Sequence, residues 1–124
     1  MRGIKRKLAR FRTVRFSVTE TDIERGKPEA STCPIAIALK RALGEKFHIY
    51  VSDDLIRATD GVVLQRETHR RLARFVEAFD AWKSSLESAK YAPSCSPAVE
   101  RPRNVKPFRA TIRFLQIPGW QIPN

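Results

Sequence analysis

Two segments near opposite ends of the chain, RTVRFSV and FRATIRF, alternate apolar and polar residues with period two. In the first, Val14, Phe16 and Val18 share a face and alternate with Arg15 and Ser17. In the second, Phe108, Ala110, Ile112 and Phe114 share a face opposite Arg109, Thr111 and Arg113. A strand of this kind needs a neighbour for its backbone and a cover for one face only. The matching patterns make the two segments candidate neighbours in one sheet. Two further runs extend it. KFHIYVS places Phe47, Ile49 and Val51 against His48 and Tyr50, and DDLIRATDG with GVVLQ reads as two short strands around a turn at Asp60-Gly61.

The cover comes from helical segments. In STCPIAIALKRALG, Pro34 suits the first helical position, with Cys33 or Thr32 as cap. Lys40 and Arg41 sit in the last turn and Gly44 supplies the left-handed stop, which predicts a helix over 34–43. A longer helix runs from Arg66 to about Lys90. Its Leu72, Phe75, Val76, Phe79, Trp82 and Leu86 recur at helical spacing as a core stripe. TETDIERGKPEAS reads as a capped single turn around Thr19 to Arg25, ended by Gly26.

Residues 91–107 hold four of the eight prolines and read as an extended linker or surface loop. The tail LQIPGWQIPN reads as irregular, with Trp120 packing back. The expected architecture is α+β: a mainly antiparallel sheet of about four or five short strands with two helices packed on one face. At 124 residues this is one domain, 12–124, preceded by a basic arm over 1–11 in which Ile4, Leu8 and Phe11 fall on one helical stripe.

Charge is the strongest global signal. The chain carries a formal net charge of +11. Seven basic residues and no acid lie in the first sixteen positions: Arg2, Lys5, Arg6, Lys7, Arg10, Arg12 and Arg15. A field of that sign selects nucleic acid, an anionic surface or an acidic protein patch. Arg66, Arg70, Arg71 and Arg74 crowd the start of the long helix against its dipole, with Glu67 offsetting Arg70 and Arg71 at i+3 and i+4. Arg109 and Arg113 share the polar face of the last strand, with Arg101, Arg103 and Lys106 just upstream. A basic sheet face with Phe11, Phe16 or Trp120 nearby is a surface on which a nucleic-acid strand tracks and stacks.

Catalytic chemistry has little to stand on. Cys33 at a helix start feels a field that favours the thiolate, and His48 or His69 is the available base. No thiol-enzyme signature surrounds Cys33, and a small residue opening an apolar helix accounts for it. Cys33, Cys95, His48 and His69 lack the short spacings of a structural zinc site, so no metal and no cofactor are expected. No signal peptide and no membrane-length apolar run is present, which points to a cytoplasmic protein with no membrane contact and reduced thiols.

The stretch from Phe16 to Phe114 resembles a set of small uncharacterised proteins encoded by tailed phages, prophages and some bacterial genomes. The resemblance rests on Thr19, Ile23 and Gly26, on the Cys33 to Ala36 helix start, on Phe79-Asp80, and on Pro107-Phe108. It implies a mobile-element accessory protein and carries over no activity and no catalytic residue.

The expectation is a small basic non-enzymatic protein of phage or mobile-element type that binds nucleic acid or a nucleoprotein complex, inhibiting a host defence or nucleic-acid-handling complex. Arg2, Lys5, Arg6, Lys7, Arg10, Arg12, Arg66, Arg70, Arg74, Arg109 and Arg113 are the candidate contacts. Two alternatives stand beside it: a protein–protein interaction module for an acidic partner, and a thiol-dependent enzyme using Cys33 and His48.

Overall fold

The computed structural model describes residues 10–59, 63–67, 69–91 and 99–117. In chain order the elements are β1 (Arg10–Val18), α1 (Glu20–Arg25), α2 (Pro34–Leu43), β2 (His48–Val51), β3 (Leu55–Thr59), β4 (Val63–Glu67), α3 (Arg70–Tyr91) and β5 (Phe108–Ile117). All five strands join one antiparallel sheet in the order β1-β5-β4-β3-β2. The protein is α+β, with three helices among the described residues rather than two: the turn after Thr19 closes into a helix of its own.

The two alternating segments do pair, from Arg10↔Gln116 to Val18↔Phe108. Because directly paired residues face the same side, Val14, Phe16, Val18, Ile112 and Phe114 are all buried while Phe11, Thr13, Arg15, Ser17, Arg109, Thr111 and Arg113 are exposed. β5 extends to Ile117, so Leu115 to Ile117, expected in an irregular tail, are strand residues that pair with β4. Arg10 and Phe11, assigned to the arm, with Phe11 on its helical stripe, likewise belong to β1. Ile4, Leu8, the Asp60-Gly61 turn and Trp120 lie outside the described residues.

α2 packs against both β1 and β2, the two opposite edges of the sheet. The Arg12 guanidinium of β1 sits 5.6 Å from the centroid of the Phe47 ring, just before β2. The sheet is therefore curled around α2, a limit of the right-handed twist that all sheets carry. Inside the curl, Ile35, Leu39, Ile56, Phe79 and Phe114 are fully enclosed. α3 contributes Leu72, Phe75, Val76 and Phe79 of its predicted stripe to that core, with Trp82 partly buried against it, whereas Leu86, a turn further on, is only half-buried and lies outside the cluster.

α3 starts at Arg70, not Arg66. Arg66 and Glu67 are the end of β4, paired with Ile56 and Leu55. The backbone pairing of β4 holds the chain extended to this point, and His69 then caps the helix, its Nδ1 accepting from the Arg71 N–H at 3.2 Å. Glu67 therefore does not share a helix with Arg70 and Arg71, and the expected helical i+3 and i+4 spacing is lost.

The short elements are held by specific groups. Thr19 and Asp22 form a reciprocal capping box at the start of α1. Cys33 occupies the N-cap position of α2 without a side-chain cap bond, and Thr32 donates to Glu29 Oε1 instead. Gly44 ends α2 at φ 126°, ψ 151°, a positive-φ extended conformation open to glycine rather than the left-handed helical stop. Gly26 is required for closeness: a Cβ there would lie 2.7 Å from Pro34 Cδ. The described part of the proline-rich segment packs back onto the domain, with Val105 buried and Arg101 paired to Glu20 and stacked over Trp82.

Candidate nucleic-acid interface

Helices cover one face of the sheet; on the other, the open face, the side chains of β1, the first half of β5 and β2 are exposed, while Thr59 of β3 is buried. Register defines a complete row across the open face: Phe11↔Leu115, Leu115↔Gln65, Gln65↔Arg57 and Arg57↔Tyr50. Phe11 and Tyr50, at the two ends of this row, are the large hydrophobic side chains most exposed among the described residues, at 61% and 41%. Four strand intervals separate them, about 19 Å measured along the sheet. Each ring is paired with an arginine from the neighbouring strand. The Arg113 guanidinium lies 4.2 Å from the Phe11 centroid, and that of Arg57 lies 5.5 Å from the Tyr50 centroid.

The charge of this face follows from the same alternation. Arg15, Arg57, Arg109 and Arg113 project from it with His48, Thr13 and Thr111, and among the described strands the one acidic residue that the register assigns to it is Glu67. The register places Glu67 at its far end, opposite Leu55. Elsewhere acids are plentiful: Glu20, Asp22 and Glu24 lie on α1, and Glu77, Asp80 and Glu87 on the later turns of α3. Arginine is the cation suited to such a surface, because its planar fork pairs with phosphate oxygens and its face stacks on rings and bases.

The candidate contacts fall into separate groups. Arg109 and Arg113 are on the open face, as expected. Arg12 shares the parity of the covered face and is held over Phe47. Arg70 and Arg74 line a cavity beside α3, on the helix-covered side. Arg10 and Arg66 are strand residues of β1 and β4, and Arg2, Lys5, Arg6 and Lys7 lie outside the described residues. Phe16, expected near the basic face, is 4% exposed and faces the core. Tyr50 and Arg57 were missed as a stacked pair. The signal was Tyr50 on the polar side of KFHIYVS, but its partner emerges only from the β2–β3 register.

A concavity of about 850 Å³ lies between α2 and the first turn of α3. Phe16, Ala110 and Ile112 contribute apolar lining; Arg41, His69 and Arg71 contribute basic groups. β5 pairs with β4 only at Leu115 to Ile117, so its first half leaves an edge toward α3, and Arg109 and Arg113 also line this concavity.

The thiol has a different setting. Cys33 is 3% exposed within the core cluster, whereas His48 is exposed on the open face, so the sheet separates them. Burial, against the pull of the Ala36 and Ile35 N–H groups, pushes the Cys33 thiol up to about 11. No cluster of three His, Cys, Asp or Glu side chains suited to a metal occurs among the described residues, and no described helix is long and apolar enough to cross a membrane. Comparison with protein-family models, curated proteins and solved structures finds no match for this chain.

Proposed function

We propose that this protein is a non-catalytic binder of single-stranded nucleic acid, which it holds across the open face of the sheet. The observation that carries the reading is the pair of arginine-stacked, exposed rings, Phe11 with Arg113 and Tyr50 with Arg57, on a face rich in arginine. Bases stack on such rings irrespective of sequence, and the arginines between them meet the phosphates. The excess charge of the first residues adds an electrostatic draw that is independent of sequence. In line with the resemblance to phage-encoded proteins, the role we infer is that of a mobile-element accessory protein acting on a host nucleic-acid-handling or defence complex.

The test is fluorescence anisotropy with a labelled single strand over a series of salt concentrations. Phe11→Ala and Tyr50→Ala should each weaken binding by about 1–3 kcal/mol while melting like the parent. Arg109→Gln and Arg113→Gln should each flatten the log–log salt slope by about 0.7. Deleting residues 2–9 should flatten it further. Undiminished binding by a well-folded Phe11→Ala/Tyr50→Ala double variant would sink the reading.

A second reading, recognition of an acidic protein segment, is favoured by the concavity between α2 and α3, which joins an apolar lining to Arg41 and Arg71. A host-lysate pull-down with and without nuclease separates the two: partners lost after nuclease support the first reading, and a surviving protein partner supports the second. The thiol-enzyme reading draws no support from a buried Cys33 set apart from His48.

A further inference from the structure

A smaller cavity, about 360 Å³, opens between the first turns of α3 and the loop leading into β5. Arg70, Arg71 and Arg74 line it from the helix and Lys106 from the loop. Phe75 and Phe108 form its apolar wall, their ring centroids 5.1 Å apart. Asn104 Nδ2 donates to the Arg74 carbonyl at 3.5 Å, tying the loop to the helix. Arg71 is held with its guanidinium 5.5 Å from the Phe108 centroid. Arg70, Arg74 and Lys106 pair with no described carboxylate.

This arrangement is electrostatically unrelieved within the described structure. Arg70 and Arg71 stand in the first turn of α3, where a helix disfavours cations, that turn holds no acidic residue, and Arg74 and Lys106 add two further charges. A carboxylate offers one negative charge and two oxygens. A phosphate monoester offers close to two charges near neutral pH and three acceptor oxygens, which suits several converging guanidinium forks. Phe108, half-buried and backed by the buried Phe75 ring, then offers an apolar surface to a flat group attached to the phosphate, and the volume lies within the roughly 300–1,000 Å³ of small-ligand sites.

We propose that this pocket binds a phosphate monoester attached to an aromatic base, the chemistry of a mononucleotide or of the phosphorylated end of a nucleic-acid strand. Arg70, Arg74 and Lys106 hold the phosphate, and Phe108, backed by Phe75, contacts the base. The site lies on the helix-covered side of the sheet and does not depend on the open-face reading.

The experiment uses the full chain. Adenosine monophosphate is compared with adenosine by calorimetric titration, and a terminally phosphorylated short strand with its hydroxyl-ended twin by anisotropy. The terminal phosphate should improve affinity by at least about tenfold in one or both arms. A gain with the monophosphate alone assigns the pocket to free nucleotides, and a gain with the strand assigns it to strand ends; either supports the site. The gain should vanish in Arg74→Gln and Arg70→Gln, whose exposed positions leave folding intact by melting. It should persist in Arg25→Gln, which removes the same charge from α1, and in Phe11→Ala, which disables only the open face. Absence of any gain from the phosphate, or an equal loss in Arg25→Gln, would overturn the proposal.

Discussion

Arg41 of α2 grips Asp22 of α1 with both arms of its guanidinium, Nη1 donating to Oδ1 at 3.0 Å and Nη2 to Oδ2 at 2.7 Å. The same Nη2 donates to the Ser17 carbonyl at 2.9 Å, so one side chain ties α1, α2 and β1 together. Asp22 is 3% exposed. Burial alone would push its carboxyl up, but the hydrogen bonds from Arg41 and Thr19 outweigh burial and hold it below the usual carboxylate range.

A depressed carboxyl contributes stability that is present above its unfolded pKa, about 3.9, and is lost as pH falls through the lower folded value. Asp22→Asn should therefore cost about 1–3 kcal/mol at neutral pH, with the deficit closing in acid. Arg41→Gln should move acid unfolding to higher pH. Denaturation followed across an acid series checks both, and superimposable acid transitions for parent and variants would show that the pair contributes nothing.

Asp80 should behave in the opposite sense. Its Oδ1 is buried without a partner, and burial, with Asp53 adding a smaller push, raises its pKa. The native state then holds more protons than the unfolded one between about pH 3.9 and the raised value, so stability falls as pH climbs through that window. Asp80→Asn, which removes the charge, should stabilise the protein at neutral pH by on the order of 1 kcal/mol. A lower melting temperature for Asp80→Asn than for the parent would mean that the carboxylate has a role beyond packing.

Cys33 should be inert while the protein is folded. In a Cys95→Ser background, a thiol reagent at neutral pH should modify Cys33 only at the rate of unfolding, because the thiolate is both buried and disfavoured. Cys33→Ser should lower stability and leave nucleic-acid binding unchanged. Rapid modification of the native protein would contradict the burial seen here.

Phe79 is fully enclosed, its ring centroid 6.1 Å from those of both Phe75 and Trp82. Phe79→Ala should cost about 3–5 kcal/mol, read as a shifted denaturation midpoint at unchanged slope. A near-parental midpoint would place the wrong face of α3 in the core.

The polar edges of elements were harder to foresee than their apolar stripes. Leu72, Phe75, Val76 and Phe79 announce a buried helix face through spacing alone, since burying such a stripe is favourable whatever lies opposite. The start of that helix was not legible. Arg66, Glu67 and the residues after them suit a helix locally, and only the pairing of Arg66 with Ile56 and of Glu67 with Leu55 holds the chain extended there. The interface divides in the same way: Arg109 and Arg113 could be placed on one polar face from period two, whereas Arg70, Arg74 and Lys106 come together through tertiary packing.

Hydrophobic periodicity is a local property, so the buried faces of β1, β2, β5, α2 and α3 were legible in the sequence by itself, as was the match between the segments around Phe16 and Ile112. The order of the strands is a property of pairs far apart in the chain. Tertiary structure alone decided that β2 would lie at the edge opposite β1, that the sheet would curl until Arg12 met Phe47, and that Phe11 and Tyr50 would end one row of a shared face. The physical reason is that backbone hydrogen bonds are indifferent to side-chain identity. Register is instead chosen by the whole core at once, through the shape that Ile35, Leu39, Phe79 and Phe114 fill together.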